Sequence, residues 1–334
     1  MIEIANESEL LRYMVRNNLF SNGDQLSVRY FSGGVSGTVA LVKGGEKKMI
    51  VKQALSVLKV STLWECDRSR IRIEHEALEL YNQLIPGRVP EPIFYDEENY
   101  IMVREALPET CSAWKEQLLS GLLDFSIAHK AIDALSVIHN GTAGDDAVSK
   151  RFEDTQFFYN LRITPYIGHV VESYPSLAAP SKRIIEMLME DKIALVHGDY
   201  SPKNILVNGS DIAIIDLEVA HYGHPAFDLA FFANHLLLKA IKNKQWSNAY
   251  LNMLSFMLDI YTSQLTCINP VDMEHNTVRT LALLLLARVD GKSPAEYITQ
   301  PSDKDIVRKT AMTMITDDIA NYKDAIALLK RNLK

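Results

Sequence analysis

The sequence predicts an α+β fold in two parts, a small antiparallel sheet followed by a larger helical region. Three observations carry that reading. Short β-rich runs separated by glycine turns crowd the first third of the chain. Beyond Glu105-Ala106-Leu107-Pro108, apolar residues recur at helical spacing and strands become scarce. One hairpin, Ile205 to Val207 with Ile212 to Ile215 about Asn208-Gly209, interrupts the helical part, and polar residues gather at its two ends.

Composition sets the bounds. At 334 residues and 47% hydrophobic, the chain is long enough for one large or two ordinary domains with a full core. A net charge of -7 gives no basic footprint for nucleic acid or an anionic membrane. Cys66, Cys111 and Cys267 are scattered and form no CxxC or metal spacing, which fits a reducing compartment. The acidic start lacks the basic-then-apolar shape of a secretory leader, and the apolar run Leu281 to Ala287 is far too short to span a bilayer. The expectation is a cytoplasmic protein, monomer or homodimer, with no nucleic-acid or membrane partner.

Taken in order, residues up to about Phe20 read as a short amphipathic helix. Leu26 to Phe31, Thr38 to Val42 and Lys48 to Gln53 read as three strands. Ser32-Gly33-Gly34-Val35-Ser36-Gly37 joins the first two. Its glycines and serines let backbone N–H groups approach phosphate oxygens, although an ordinary flexible hairpin loop has the same composition. Lys52 closes the apolar run Met49-Ile50-Val51. A strand lysine is usually a solvated edge residue; after a glycine-rich hairpin it is also placed to reach a phosphate. Arg68 to Leu84 reads as a helix with Ile73, Ala77, Leu80 and Leu84 on one face. Glu74 and Glu76 flank that stripe on opposite sides, so periodicity leaves open which turns towards Lys52. Pro86 to Pro92 breaks the helix, and Ile93 to Tyr95 with Tyr100 to Arg104 form a further hairpin. The division expected is 1–105 and 106–334. The second part opens with helices near Ser112 to Leu119 and from Leu122 to His139, and residues 150–175 read as an aromatic-rich helical stretch.

The chemistry concentrates between Val196 and Glu218. If the two strands pair about the Asn-Gly turn, Asn204 entering and Asp216 leaving are cross-strand neighbours, about 5 Å apart at Cβ. Asp199 lies one loop away. Hard oxygen donors with one free carboxylate beside them suit Mg²⁺, which fills its shell with water and substrate phosphates. Downstream, Pro225 starts a buried helix, and Asp228 in its first turn meets the unpaired N–H groups there or braces the preceding loop. His221 and His224 read as structural loop histidines rather than a metal pair. Gly291-Lys292-Ser293 is no P-loop, because Leu286 stands where the first glycine is needed.

This ordered set resembles the aminoglycoside phosphotransferase/choline kinase-like family, small-molecule relatives of protein kinases, from about Tyr30 to Leu236. His197-Gly198-Asp199 with Asn204 five residues on is similar to that family's catalytic loop, and Ile215-Asp216-Leu217-Glu218 to its metal-binding Ile-Asp-x-Glu. The resemblance implies a protein-kinase-like two-lobed fold, with a five-stranded antiparallel N-lobe and a mainly helical C-lobe. It implies Asp199 as the catalytic residue and Asn204, Asp216 and Glu218 as ligands of Mg²⁺. ATP would be bound by Ser32, Gly33, Gly34, Ser36 and Gly37, by Lys52 with Glu76 as the helix glutamate, and by Arg104 and Ala106 in the hinge. His197 and Asp228 would support the loop, and Arg288 is a candidate for the acceptor pocket. The reaction implied is transfer of the γ-phosphoryl group to a small-molecule hydroxyl. The stretch Phe158 to Tyr166 resembles methylthioribose kinases, which depart from the asparagine found here at position 204. A protein kinase fits less well, since about a dozen residues separate Asp216 from Asp228 and no Ala-Pro-Glu follows. A catalytically inactive nucleotide-binding protein of the same fold is the remaining alternative, although every expected polar residue is present.

Overall fold

The computed structural model describes residues 2–31, 36–57 and 66–333, which cluster into two compact units, Met1–Thr110 and Cys111–Lys334. In the first, five strands form an antiparallel sheet: β1 Leu26–Tyr30, β2 Gly37–Gly44, β3 Lys47–Ala54, β4 Pro92–Asp96 and β5 Ile101–Glu105, in the order β1-β2-β3-β5-β4. Side-chain alternation decides its faces. Ala40, Val42, Met49, Val51, Ile101 and Val103 bury one face against Leu10, Tyr13 and Met14 of the helix Glu7–Arg16. Each large apolar side chain so buried contributes about 1.5–3 kcal/mol, and a slip of one residue would expose them all.

The same alternation sends Lys52 to the opposite face, where the helix Arg70–Leu84 contacts β3, β4 and β5. Arg70, fully buried, donates to the carbonyls of Ser36, Leu55, Cys66 and Asp67 at 2.5–3.2 Å. It thereby ties the approach to β2 and the exit of β3 to the start of this helix. Gly37 begins β2 opposite Ala54. Ser32, Gly33 and Gly34 lie outside the described residues.

The second unit is mainly helical. Helix Phe125–Thr142, capped by Asp124, packs on Ser247–Gln264, while Ala226–Lys242 packs on both Ser247–Gln264 and Pro270–Asp290. Ala226–Lys242 is buried on nearly every side, the pattern of a central helix rather than an amphipathic one. Short strands are set among the helices: β6 Ser112–Ala113, β7 Ala194–Val196, β8 Ile205–Asn208, β9 Asp211–Ile214 and β10 His221–Gly223. They form one sheet in the order β6-β8-β9 and a pair β10-β7.

Two local expectations change. Asn208 is paired within β8, opposite Asp211, so the turn is Gly209-Ser210 rather than Asn-Gly. Gly209, with φ +58°, takes the left-handed first position that a type II′ turn reserves for glycine. The stretch 150–175 is not a regular α-helix. It runs through Asp146–Arg151, Gln156–Phe158, a π-helical Tyr159–Gly168 and His169–Ser173. Pro165 lies inside the π-helical segment. Proline has no amide to donate and its ring collides with the i−4 carbonyl of an α-helix, which the wider π register relieves. Among the described residues no helix is long and apolar enough to cross a membrane.

Candidate active site

The loop carrying Asp199 connects β7 to β8, so regular pairing anchors both its ends. Within it Gly198 has φ +75°, and a Cβ there would lie 2.7 Å from the Val219 carbonyl oxygen, so glycine is required. Asp228, fully buried in the first turn of Ala226–Lys242, accepts from the amides of His197 at 2.7 Å and Gly198 at 2.9 Å. His139 Nε2 stands 3.3 Å from the same carboxylate, and Tyr261 holds the other ring nitrogen of His139 at 2.6 Å. Burial works against the charge on Asp228, but His139, His197 and the loop amide hold its carboxyl below the ordinary range. Of the two roles open for Asp228 in the sequence, the structure shows the brace. His197 continues it, its Nδ1 accepting from the Asp199 amide at 3.2 Å.

Asp199 is 7% exposed, and its Oδ2 gathers donors. Asn204 Nδ2 lies at 2.8 Å, Arg162 Nη2 at 2.9 Å and Lys203 Nζ at 4.0 Å. Asn204 Nδ2 also donates to the Asp199 carbonyl at 3.1 Å, which fixes the amide. Its Oδ1 accepts from no described residue. In the observed register Ile205 faces Ile214 and the Ile215 amide bonds the Asn204 carbonyl at 3.0 Å. Asn204 is therefore opposite Ile215, one residue short of the expected Asp216. Asp216 follows with φ +69°, a left-handed backbone that aspartate tolerates at a cost of about 1 kcal/mol and that concentrates at functional sites. Carboxylate oxygens of Asp216 and Glu218 lie within 4.8 Å of each other. Both are oxygen donors of the kind Mg²⁺ takes.

Arg162 is the site residue the sequence did not yield. It projects from the π-helical segment, donating Nε to the Gly198 carbonyl at 2.8 Å while Nη2 meets Asp199. Burial lowers its pKa, but the Asp199 charge, with Tyr166, Glu218 and Asp216, holds it above the ordinary value. The available signal was a lone arginine in an aromatic run ahead of the loop, and α-helical periodicity misplaces it because the segment is not α-helical.

In the first unit Lys52 Nζ meets Glu74 Oε2 at 2.6 Å, both side chains buried. Glu76, the glutamate the resemblance implied, instead pairs with Arg72 at 3.1 Å on a more exposed face. Ile71, Glu74 and Leu78 share helical spacing and burial, so Glu74 lies on the packed side; the stripe chosen from the sequence omitted that row. Arg104 donates to the Glu105 carbonyl at 3.0 Å, and Ala106 follows half-buried. Arg288 is 7% exposed, its guanidinium 6.0 Å from the Tyr166 ring and bonded to Ser293. His221 stacks on Phe158 at 4.0 Å and His224 Nδ1 accepts from the Ala226 amide at 3.1 Å. Burial pushes both histidines down to about 4, as neutral core residues.

Comparison with known proteins identifies the family and the fold. Residues 27–240 match the profile of the phosphotransferase enzyme family, APH. A methylthioribose kinase of Bacillus mycoides (strain KBAB4) is 26% identical over 273 residues, 72% of this chain and 67% of the relative. One of Bacillus cereus (strain AH187) is 27% identical over 251 residues, 65% of this chain and 63% of the relative, so the match spans less than two thirds of that protein. Among solved structures, a choline kinase from Cryptosporidium parvum Iowa II has a TM-score of 0.58 at 13% identity, covering 98% of this chain and 99% of that one. A spectinomycin phosphotransferase in complex with ADP and spectinomycin has a TM-score of 0.52 at 13% identity, covering 97% of this chain and 93% of that one. These likenesses show the fold, a kinase-like five-stranded antiparallel sheet followed by a mainly helical part. With most of its length matched, both the sheet and the Asp199 loop included, the chain belongs to the phosphotransferase enzyme family of small-molecule kinases.

Proposed function

We propose that this protein moves the γ-phosphoryl group of ATP to a hydroxyl of a small molecule in the cytoplasm, acting as a monomer or homodimer. The observation that carries the reading is the Asp199 carboxylate, held 2.8 Å from Asn204 in a loop whose backbone Asp228 pins. Asp199 orients the acceptor hydroxyl and takes its proton as the oxygen attacks phosphorus. Arg162 fixes the rotamer of Asp199 and buttresses the Gly198 carbonyl. Asn204, Asp216 and Glu218 are the residues that would hold Mg²⁺. The ion, when bound, neutralises charge on the transferring phosphates. Lys52, oriented by Glu74, sets an ammonium on the phosphates, and Ser32, Gly33, Gly34, Ser36 and Gly37 supply backbone donors to them. Arg104 and Ala106 flank the base. Phosphoryl transfer asks a protein mainly for positioning and electrostatic stabilisation, which this inventory provides.

The relatives named above act on methylthioribose, choline and spectinomycin, which share a reactive hydroxyl. ADP release measured with and without Mg²⁺ tests the proposal. The expected outcome is slow Mg²⁺-dependent turnover in the wild type that Asp199→Ala or Asp216→Ala abolishes. Unchanged turnover in both variants would contradict the roles, and ATP binding without any turnover would favour an inactive nucleotide-binding protein.

A further inference from the structure

Lys239 and Arg288 of the helical unit are buried cations that make no ion pair among the described residues. Lys239, fully buried, is the extreme case. Its ammonium approaches the His235 carbonyl at 3.3 Å, one turn back on the same helix, and the Tyr297 ring at 5.2 Å. No carboxylate pairs with it among the described residues. Lys115 and Arg288 act on Lys239 against its charge and Glu296 in favour of it, and after burial Lys239, Arg288, Lys203 and Lys115 depress the pKa of His235. Lys115 is matched to Glu296 and Arg162 to Asp199. Glu296 also acts on Lys239 and Arg288, but neither makes an ion pair among the described residues. Arg288 Nε and Tyr297 Oη are moreover buried with no hydrogen-bond partner.

The cluster is continuous with the catalytic loop. Arg162, on the Asp199 carboxylate, belongs to the same π-helical segment as Tyr166. Arg288 lies 6.0 Å from the Tyr166 ring, Phe231 packs 5.8 Å from it, and His235 is 5.3 Å from Phe231. Lys203 closes the circuit, lying in the loop itself, 4.0 Å from Asp199 and within electrostatic reach of His235.

Isolated buried cations are costly, and a ligand of opposite charge is one way a fold offsets that cost. From this geometry we infer that the phosphoryl acceptor is an anionic hydroxyl compound, whose carboxylate or phosphate group is held by Lys239 and Arg288 while its hydroxyl meets Asp199. The inference rests on the phosphotransferase reading and narrows it. A cationic acceptor such as choline or an aminoglycoside would enter against these charges. The pKa of Lys239, pushed down to about 7 by burial first and then by Lys115 and Arg288, marks a charge the protein alone does not stabilise. An anion beside it restores the ammonium.

ADP release with matched acceptors tests this: glycerate against glycerol for a carboxylate, ribose 5-phosphate against ribose for a phosphate, and choline for a cation. The expected result is that at least one anionic compound exceeds its neutral counterpart and choline at least tenfold in kcat/KM. Its identity separates carboxylate from phosphate recognition. For that acceptor, Lys239→Met and Arg288→Met raise KM tenfold or more with kcat within a few-fold, while Lys239→Arg retains most of the affinity. Lys239→Met unfolds at the same temperature as the wild type or higher, because it removes an uncompensated charge. Equal or better use of a neutral compound or choline overturns the inference and leaves phosphotransfer standing, as does failure of every anionic compound to stimulate ADP release above the acceptor-free rate. Absence of Mg²⁺-dependent ADP release under all conditions overturns the phosphotransferase reading with it.

Discussion

Asp228 and Lys239 lie on the same helix, Ala226–Lys242, about three turns apart, and both are fully buried. The carboxylate of Asp228 receives two loop amides and faces a histidine that a tyrosine fixes from behind. The ammonium of Lys239 has one backbone carbonyl and an aromatic face, with Lys115, Arg288 and the Glu296 carboxylate acting on it from beyond them. The difference teaches how to separate a structural charge from one awaiting a ligand. A charge whose partners are supplied by the chain rigidifies its surroundings, whereas a charge left short marks where binding supplies the rest.

The largest effect expected on stability comes from breaking the satisfied region. Asp228→Ala leaves two buried amides and His139 without their acceptor, and denaturant unfolding should show a loss of about 3–5 kcal/mol. A loss below 1 kcal/mol would dissolve the contrast with Lys239. Acid tests the buried neutral bases next. The folded pKa values of His221 and His224, about 4, lie below the unfolded 6.5, so the unfolded state binds more protons as pH falls. Their stabilisation is complete above pH 6.5 and is lost progressively towards pH 4, by on the order of 3 kcal/mol each at ~1.4 kcal/mol per unit. A flat stability profile across that range would contradict their burial as neutral rings.

Smaller effects sharpen the same comparison in the first unit. Glu74→Gln weakens a buried ion pair and should cost about 1–3 kcal/mol, while Glu76→Gln touches a half-exposed i,i+4 pair worth under about 0.5 kcal/mol. Equal costs would mean that burial does not distinguish the two glutamates. For Lys239→Met, equilibrium unfolding near neutral pH should show no loss. The folded pKa of Lys239 is depressed, so wild-type stability attributable to this residue rises with pH above about 7, and the variant's advantage shrinks in parallel.

How much of this was legible in the sequence follows from which interactions are local. The sheet strands declared themselves as β-rich runs between glycine turns, and the His197 to Glu218 block through spacing, because hairpin geometry converts sequence offset into proximity. The hairpin still slipped in detail: Asn208 pairs in β8, which sets Asn204 opposite Ile215 rather than Asp216. Glu74 was hidden because two glutamates two residues apart straddled a single apolar stripe, and only packing chose between them. Arg162 was hidden because Pro165 imposes a π register that no α-helical period describes. The cluster about Lys239 was invisible for a different reason. Lys115, Lys203, Lys239 and Arg288 are dispersed over much of the chain, and the fold alone assembles them.

The most direct test of the central claim is one steady-state assay of ADP release against an anionic acceptor, run on wild type, Asp199→Asn and Lys239→Met. The account predicts that Asp199→Asn lowers kcat by roughly 10²–10⁴ with the acceptor KM little changed, and that Lys239→Met raises the acceptor KM at nearly constant kcat. Full kcat in Asp199→Asn, or a Lys239→Met enzyme with unaltered KM, would contradict it.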